Sequence, residues 1–279
     1  MGLKILSCGA GMQSTALALM SCENALYGTK YPEVPIYDAI IFCDLGCEPP
    51  WVYSQVNFIS EACKKSGIAF YSLDTHLYED YLSNFGNKHV STVPFWSIAP
   101  DGSKAKMRRQ CTIDYKIAAI HKFVKRQLLG YVPYQRMRKE DIGAHEMHIG
   151  FSAEESRRVF SSQHPFFTNK FPLVEMGLAR PDNYKYILEV WGLDTKASAC
   201  CFCPFHRNYF FKYLKDNHPE SYEELVALDN LLEEKQPQTK ILSKLYVSRE
   251  RKRIEDLTDA ECNDAEHFLY RGKPVWNGF

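Results

Sequence analysis

Residues 3–20 read LKILSCGAGMQSTALALM. Leu3-Lys4-Ile5-Leu6 is a short apolar run that predicts a buried strand. It breaks into Ser7-Cys8-Gly9-Ala10-Gly11-Met12-Gln13-Ser14, small residues with two glycines, and Thr15 to Met20 then resumes as a helix. Strand, glycine loop and helix in succession aim free N–H groups and the positive end of a helix dipole at an anion. Gly9 and Gly11 are expected to supply backbone angles and a close approach that a Cβ would block. Ser7 and Ser14 add hydroxyl donors. The loop lacks both the Gly-Lys-Ser/Thr ending of the P-loop and the GxGxxG spacing of dinucleotide folds. Taken alone, it reads equally as a plain strand-to-helix turn.

The neighbouring segments extend the pattern. Asp38 to Phe42 predicts a second buried strand, ending in the polar turn Cys43-Asp44-Leu45-Gly46-Cys47-Glu48-Pro49-Pro50. Trp51 to Ser66 has helical spacing through Val52, Val56, Ile59 and Cys63, and Ala69 to Leu73 predicts a third strand. Two strand–helix–strand units in a row predict an α/β fold with an open, mostly parallel, doubly wound sheet and right-handed crossovers. Ligands of such sheets bind beyond the carboxyl ends of the strands, so the glycine loop and Asp44/Glu48 are expected on one rim.

Further along, Leu77 to Gly86 predicts a helix, and the aromatic stretch Val93 to Ser103 reads as an irregular lid. A helix over Ile113–Leu129, a basic connector over Gly130–Gly143 and a strand over His145–Gly150 follow. Helices are also expected at Pro181–Trp191, Tyr209–Asn217 and Pro219–Glu234, around the cysteine-dense Ser198–His206. The expected division is a nucleotide-binding α/β domain over 1–196 and a helical, cysteine-bearing region over 197–279, whose last 40 or so residues are charged and less regular.

Composition narrows the function. With 279 residues and 45% hydrophobic side chains, the chain can bury a sizeable core. Lys+Arg and Asp+Glu are 34 each, so net charge gives no nucleic-acid footprint. The local clusters Arg136–Lys139 and Arg249–Arg253 read first as solvated faces, although either could hold a nucleic acid as substrate. No apolar run approaches a membrane span of roughly 20 residues, and no signal-peptide pattern opens the sequence. A cytoplasmic location is therefore expected, and ten cysteines in a reducing compartment point to metal ligation or catalysis before disulfides.

Taken together, the loops resemble a known family. Ser7-x-Gly9-x-Gly11-x-Gln13-Ser14 is similar to the PP-loop of the adenine nucleotide alpha-hydrolase superfamily, and more narrowly to the phosphoadenosine phosphosulfate (PAPS) reductase family and its phage-borne iron–sulfur relatives. Asp44-x-Gly46-x-Glu48 resembles the acidic turn after their second strand. Arg109-x-Cys111-Thr112-x-x-x-Lys116 resembles their cysteine–lysine segment. Gly150-x-x-x-x-Glu155-Ser156-x-Arg158, Phe171-Pro172-Leu173 and Cys200-x-x-Cys203-Pro204 match later elements in the same order. Two departures stand out. Many PP-loops carry Asp where Gln13 stands. The reductases' Glu-Cys-Gly-x-His tail has only a loose counterpart around Glu261-Cys262, so Cys262 reads as an ordinary cysteine.

The resemblance implies an enzyme that binds an adenosine nucleotide, ATP or PAPS, at Ser7, Gly9, Gly11, Gln13 and Ser14. Asp44, Glu48, Arg109, Gly150, Glu155 and Arg158 complete that site. Cys111, Asp44 and Lys116 are the catalytic candidates. Asp44 and Glu48 either orient the nucleoside, hold Mg²⁺, or merely cap the next helix. Cys111, Cys200 and Cys203 are the metal ligands of a [4Fe–4S] cluster with one open iron; zinc, with His206 or Cys201 as fourth ligand, is the alternative. The implied reaction is ATP-dependent sulfur transfer to an acceptor not identified by the sequence. Nucleic acid is one option for that acceptor, and a homo-oligomer is left open. Reductive cleavage of PAPS and a non-catalytic zinc module are the competing readings.

Overall fold

The computed structural model describes residues 2–90, 92–162 and 164–276. The expected strand from Leu3 forms as β1 (Lys4–Cys8), flanked by β2 (Ala39–Asp44) on one side and β6 (His145–Ile149) on the other. With β3 (Phe70–Asp74) and β7 (Phe167–Lys170) the sheet order is β3-β2-β1-β6-β7. Pairings β1–β2, β1–β6 and β6–β7 are parallel, with Ile5 opposite both Ala39 and Met147. The doubly wound α/β expectation thus holds for the sheet. Its central strands are continuous apolar runs because both faces are covered; Ile5, Leu6, Ile40 and Ile41 are fully buried.

Helix α1 (Met12–Tyr27) is apolar nearly all round and buried at Met12 and from Ser14 to Asn24, with Gln13 half-buried. It packs on α6 (Arg180–Trp191), where the buried Glu23 carboxylate accepts from Tyr186 Oη at 2.6 Å and Trp191 Nε1 at 3.1 Å. Helix α2 (Pro50–Ser66) lies beside α1, with Cys22 and Cys63 sulfurs 3.9 Å apart. These are core thiols, as are Cys8 and Cys43.

The expected helix over Ile113–Leu129 is real but uneven. A wide π turn over Thr112–Ile117 leads into α4 (Ala118–Phe123), and a second π turn spans Val124–Leu128. The ring of His121, on α4, lies 4.4 Å from that of His164 and stacks at 4.8 Å on Phe167. Burial, then the charge of His164, pulls His121 down from 6.5 to about 4. A histidine depressed on folding stabilises fully above its unfolded value; that stability is lost as pH falls through the window. The melting temperature is therefore expected to fall between pH 6.5 and 4, and His121→Phe to flatten that fall. Identical pH profiles for the two proteins would refute the assignment.

The chain clusters into two units, each drawn from separate stretches. One comprises 1–43, 51–73 and 120–198; the other comprises 44–50, 74–119 and 199–279. This differs from a single boundary at 196/197, and strand pairing supplies the reason. The stretch expected to be an irregular lid forms β4 (Trp96–Ile98), which pairs with β5 (Lys104–Lys106) and with β8 (Lys244–Tyr246), all antiparallel. Residues 74–119 therefore fold with the carboxyl-terminal chain. That region is not purely helical: α3 (Leu77–Asn84), α7 (Asn208–Asn217) and α8 (Pro219–Lys235) accompany the small sheet, and β9 (His267–Tyr270) pairs with β10 (Lys273–Trp276). Residues 277–279 of the expected second domain lie outside the described residues. No described helix is long and apolar enough to cross a membrane.

The two basic clusters are largely structural. Arg253 pairs with the fully buried Asp229 at 3.2 Å and donates to Leu245 O at 2.7 Å; Lys252 pairs with Glu261 at 2.7 Å. Arg138 pairs with Asp141 at 2.7 Å and lies 4.6 Å over the Tyr131 ring. A solvated-face reading does not describe Arg253, whose side chain is only 12% exposed.

Candidate functional site

Strand order reverses at β1, with β2 and β3 laid down on one side and β6 and β7 on the other. Loops beyond the carboxyl ends of the strands part at such a point and leave a crevice. The glycine loop after β1 and the segment starting at Gly150 after β6 flank it. Ser7 is the half-buried last-but-one residue of β1, in register with Ile41 and Ile149.

The loop is held by its own side chains. Gly11 caps α1, and its carbonyl accepts Thr15 N–H at 2.9 Å. Ser14 Oγ accepts Gly9 N–H at 3.2 Å and donates to Gly11 O at 3.3 Å. Ser14 thus closes the turn instead of standing ready as a donor. Neither Gly9 nor Gly11 has a positive φ; the left-handed residue is Ala10, at φ 52°. Such an angle is uncommon for a residue with a Cβ and persists where its surroundings fix it. Gln55, buried on α2, does so by donating to Ala10 O at 2.5 Å while its Oε1 accepts Lys196 N–H at 2.6 Å.

Glycine is needed for close approach. A Cβ on Gly150 would lie 2.8 Å from Ser14 N, and one on Gly11 would lie 2.6 Å from Ser198 Oγ. Ser198 therefore sits directly against the loop, at the end of a strap over 195–198. Among the described residues neither its hydroxyl nor its N–H has a hydrogen-bond partner. Thr195 Oγ1 and Thr15 Oγ1 are likewise buried and unpartnered among the described residues. Sequence reasoning missed Gln55 and Ser198. The first looks like any polar helical residue, and only its nearness to the cysteine motif marks the second.

Across the crevice Gln13 Nε2 donates to Glu155 Oε2 at 3.1 Å. Glu155 also accepts from Ser152 Oγ at 3.2 Å and from Arg158. Arg158 lies 4.4 Å over the Phe151 ring, more than half exposed. Gly9, Gly11, Gln13, Ser14, Gly150, Glu155 and Arg158 are thus brought together as the sequence suggests. Gln13 and Arg158 are already bonded to the carboxylate between them.

The other unit gathers the remaining candidates. Asp44 Oδ1 accepts Gly46 N–H at 2.8 Å, capping its own turn. Glu48 is buried with Lys116 Nζ at 3.8 Å; burial raises its carboxyl, and Lys116 pulls the other way. Cys200 and Cys203 are hydrogen-bonded to each other. That bond holds the Cys203 thiol below its ordinary value, aided by Arg109 and Lys116, and drives Cys200 well above it. Cys111, at the start of the π turn, is raised by burial and lowered by Arg109, and it feels the charge of Cys203. Arg109 also lies 5.3 Å over the Phe205 ring.

Among the described residues, no three Cys, His, Asp or Glu side chains are gathered as a metal-binding group. The donor set itself suits a soft metal: two thiols in contact, a third within electrostatic range, and cations that favour thiolates. The two suggested fourth ligands are engaged elsewhere. His206 Nε2 lies 3.0 Å from Cys200 O with its ring stacked on Phe210, and Cys201 is hydrogen-bonded to Cys47. Cys262 is buried, and burial followed by the charge of Asp264 raises its thiol, the wrong direction for a nucleophile.

No protein-family model matches the chain, and no curated protein matches it. Among solved structures, the U34-tRNA thiolase NcsA from Methanococcus maripaludis with its [4Fe-4S] cluster aligns with 91% of this chain and 79% of its own, at 17% identity and a TM-score of 0.39. That likeness is too slight to argue from, and the reading of this chain rests on its own residues.

Proposed function

We propose that this chain is a PAPS reductase-like, PP-loop enzyme of ATP-dependent sulfur transfer, forming AMP and pyrophosphate. The observation that carries the reading is the Cys200–Cys203 turn, closed by Cys203 N–H on Cys200 O at 2.9 Å, with Arg109 and Lys116 both lowering the Cys203 thiol. The glycine loop and the unpartnered donors of Ser198 support an oligophosphate ligand. Backbone N–H groups and hydroxyls share such a charge without a P-loop lysine.

In this reading an oxygen of the acceptor attacks the α-phosphorus of Mg²⁺-ATP and pyrophosphate leaves. Sulfide then replaces the AMP on the acceptor. The loop and Ser198 hold the leaving pyrophosphate, and Glu155 fixes Gln13 and Arg158 beside it. Cys111, Cys200 and Cys203 would hold a [4Fe–4S] cluster, which supplies an open iron for inorganic sulfide. Lys116, already turned to Glu48, keeps positive charge near the thiols. Reductive cleavage of PAPS needs a reactive thiolate, and Cys262 is not placed to be one.

Anaerobic purification tests the reading. The expected protein is brown, carries about four irons, and loses both colour and iron in Cys200→Ala. Calorimetry is expected to show Mg²⁺-ATP bound in preference to PAPS. A colourless protein with one zinc, or tighter binding of PAPS, overturns the reading.

A further inference from the structure

In the small antiparallel sheet β4 and β8 turn one face inward, whereas β5 is exposed along its length, Ala105 opposite Ser97 included. Ser97 and Leu245 point inward and are buried. Alternation along each strand puts the residues on either side of them on the opposite face. By register that outer face carries the rows Lys104–Ile98–Lys244 and Lys106–Trp96–Tyr246. Lys104, Lys106 and Lys244 are exposed, as is Arg108 just beyond β5.

Elsewhere many cations have a carboxylate partner: Lys30, Arg138, Lys212 and Arg253 each do. Among the described residues Lys104, Lys106, Lys244 and Arg108 have none. The hairpin's one acid, Asp101, is turned back to accept Ser103 N–H at 2.9 Å. The cations collect around aromatic rings. Lys106 Nζ lies 5.2 Å from the Trp96 ring centroid and 4.4 Å from that of Phe205, and the Arg251 guanidinium lies 5.2 Å from Trp96. The face also continues to the thiols. Trp96 Nε1 donates to Pro204 O at 3.0 Å, one residue past Cys203, and the Arg109 guanidinium lies over Phe205, two residues past it.

We infer that this face docks single-stranded RNA, the acceptor class left open in the sulfur-transfer reading. An exposed sheet with half-buried aromatics among unpaired cations offers rings to unstacked bases and ammonium groups to phosphates. An acidic protein partner would satisfy the lysines and leave Trp96 and Phe205 without a role. A duplex would offer its phosphates and keep its bases from the rings. The binding surface stands on its own geometry; its role as acceptor site rests on the proposed reaction.

Fluorescence anisotropy of the intact protein with a labelled oligouridine tests this. Four phosphate contacts predict a slope of log affinity against log salt of about −3, at roughly −0.7 per contact for single strands. Lys104→Ala/Lys106→Ala is expected to reduce that slope by about 1.4, with an unchanged melting temperature and unchanged ATP binding. Trp96→Phe is expected to retain binding. Trp96→Ala is expected to weaken it about tenfold at every salt concentration, the signature of lost stacking. The inference is overturned if the wild type shows no salt-dependent binding, if the double variant binds like wild type, or if polyglutamate competes as well as RNA. Tighter binding of single-stranded DNA overturns the RNA assignment. Loss of RNA binding with ATP turnover intact condemns this inference alone. RNA binding without any ATP binding condemns the proposed reaction instead.

Discussion

Gly150→Ala is expected to abolish nucleotide binding and to lower stability by about 1–3 kcal/mol, as overpacking does. The added methyl would lie 2.8 Å from Ser14 N, 3.1 Å from Ser14 Cα and 3.2 Å from Gln13 C. All three are backbone atoms of the first turn of α1, so no side chain can swing aside. Relief requires α1 and β6 to separate at the crevice, which breaks the Gln13–Glu155 bond and the loop closed by Ser14. Gly9→Ala is the control for stability alone, because its methyl meets only Ser198 Oγ at 3.6 Å, an ordinary contact, and not the close approach expected from the sequence. Calorimetry with Mg²⁺-ATP and with pyrophosphate, alongside thermal melts, separates the two. Wild-type affinity in Gly150→Ala would show that the crevice is not the nucleotide site.

The second large effect is one of folding. Asp229→Ala is expected to cost about 3–5 kcal/mol in urea denaturation, the usual consequence of breaking a buried ion pair from one side. Asp229 accepts Ile254 N–H at 2.8 Å and Val247 N–H at 3.4 Å, and pairs with Arg253 at 3.2 Å. Its loss leaves a guanidinium buried beside two orphaned backbone donors. Asp229→Asn keeps an acceptor for Ile254 N–H and is expected to fall between the two. A cost below about 1 kcal/mol for the alanine variant would mean that water replaces the carboxylate and that the region is looser than its burial implies.

The parallel sheet was legible because each central strand is a short apolar run closed by a small-residue turn, a signal that depends on local periodicity alone. The grouping of Gln13, Gly150 and Glu155 was legible through the ordered motifs that carry the family resemblance. The hairpin at Trp96 was not. Three-residue strands leave almost no periodic signal, and β4 forms because β8, 150 residues further on at the Trp96–Tyr246 register, pairs with it. The role of Arg253 was hidden for the same reason, since its partner Asp229 lies on another element.

By itself the sequence determined the winding of the chain around β1, the glycine loop that follows it, and the presence of cysteines at Cys-x-x-Cys spacing. Those properties are local: hydrophobic period, glycine placement and residue spacing act over a few turns of chain. The tertiary structure decided which donors the loop has left after Ser14 closes it, that Ser198 lies against it, and that unpaired lysines collect on one sheet face although Lys+Arg and Asp+Glu balance at 34 each. Charge pairing and close approach depend on distances in space, and a residue list fixes neither until the chain has folded.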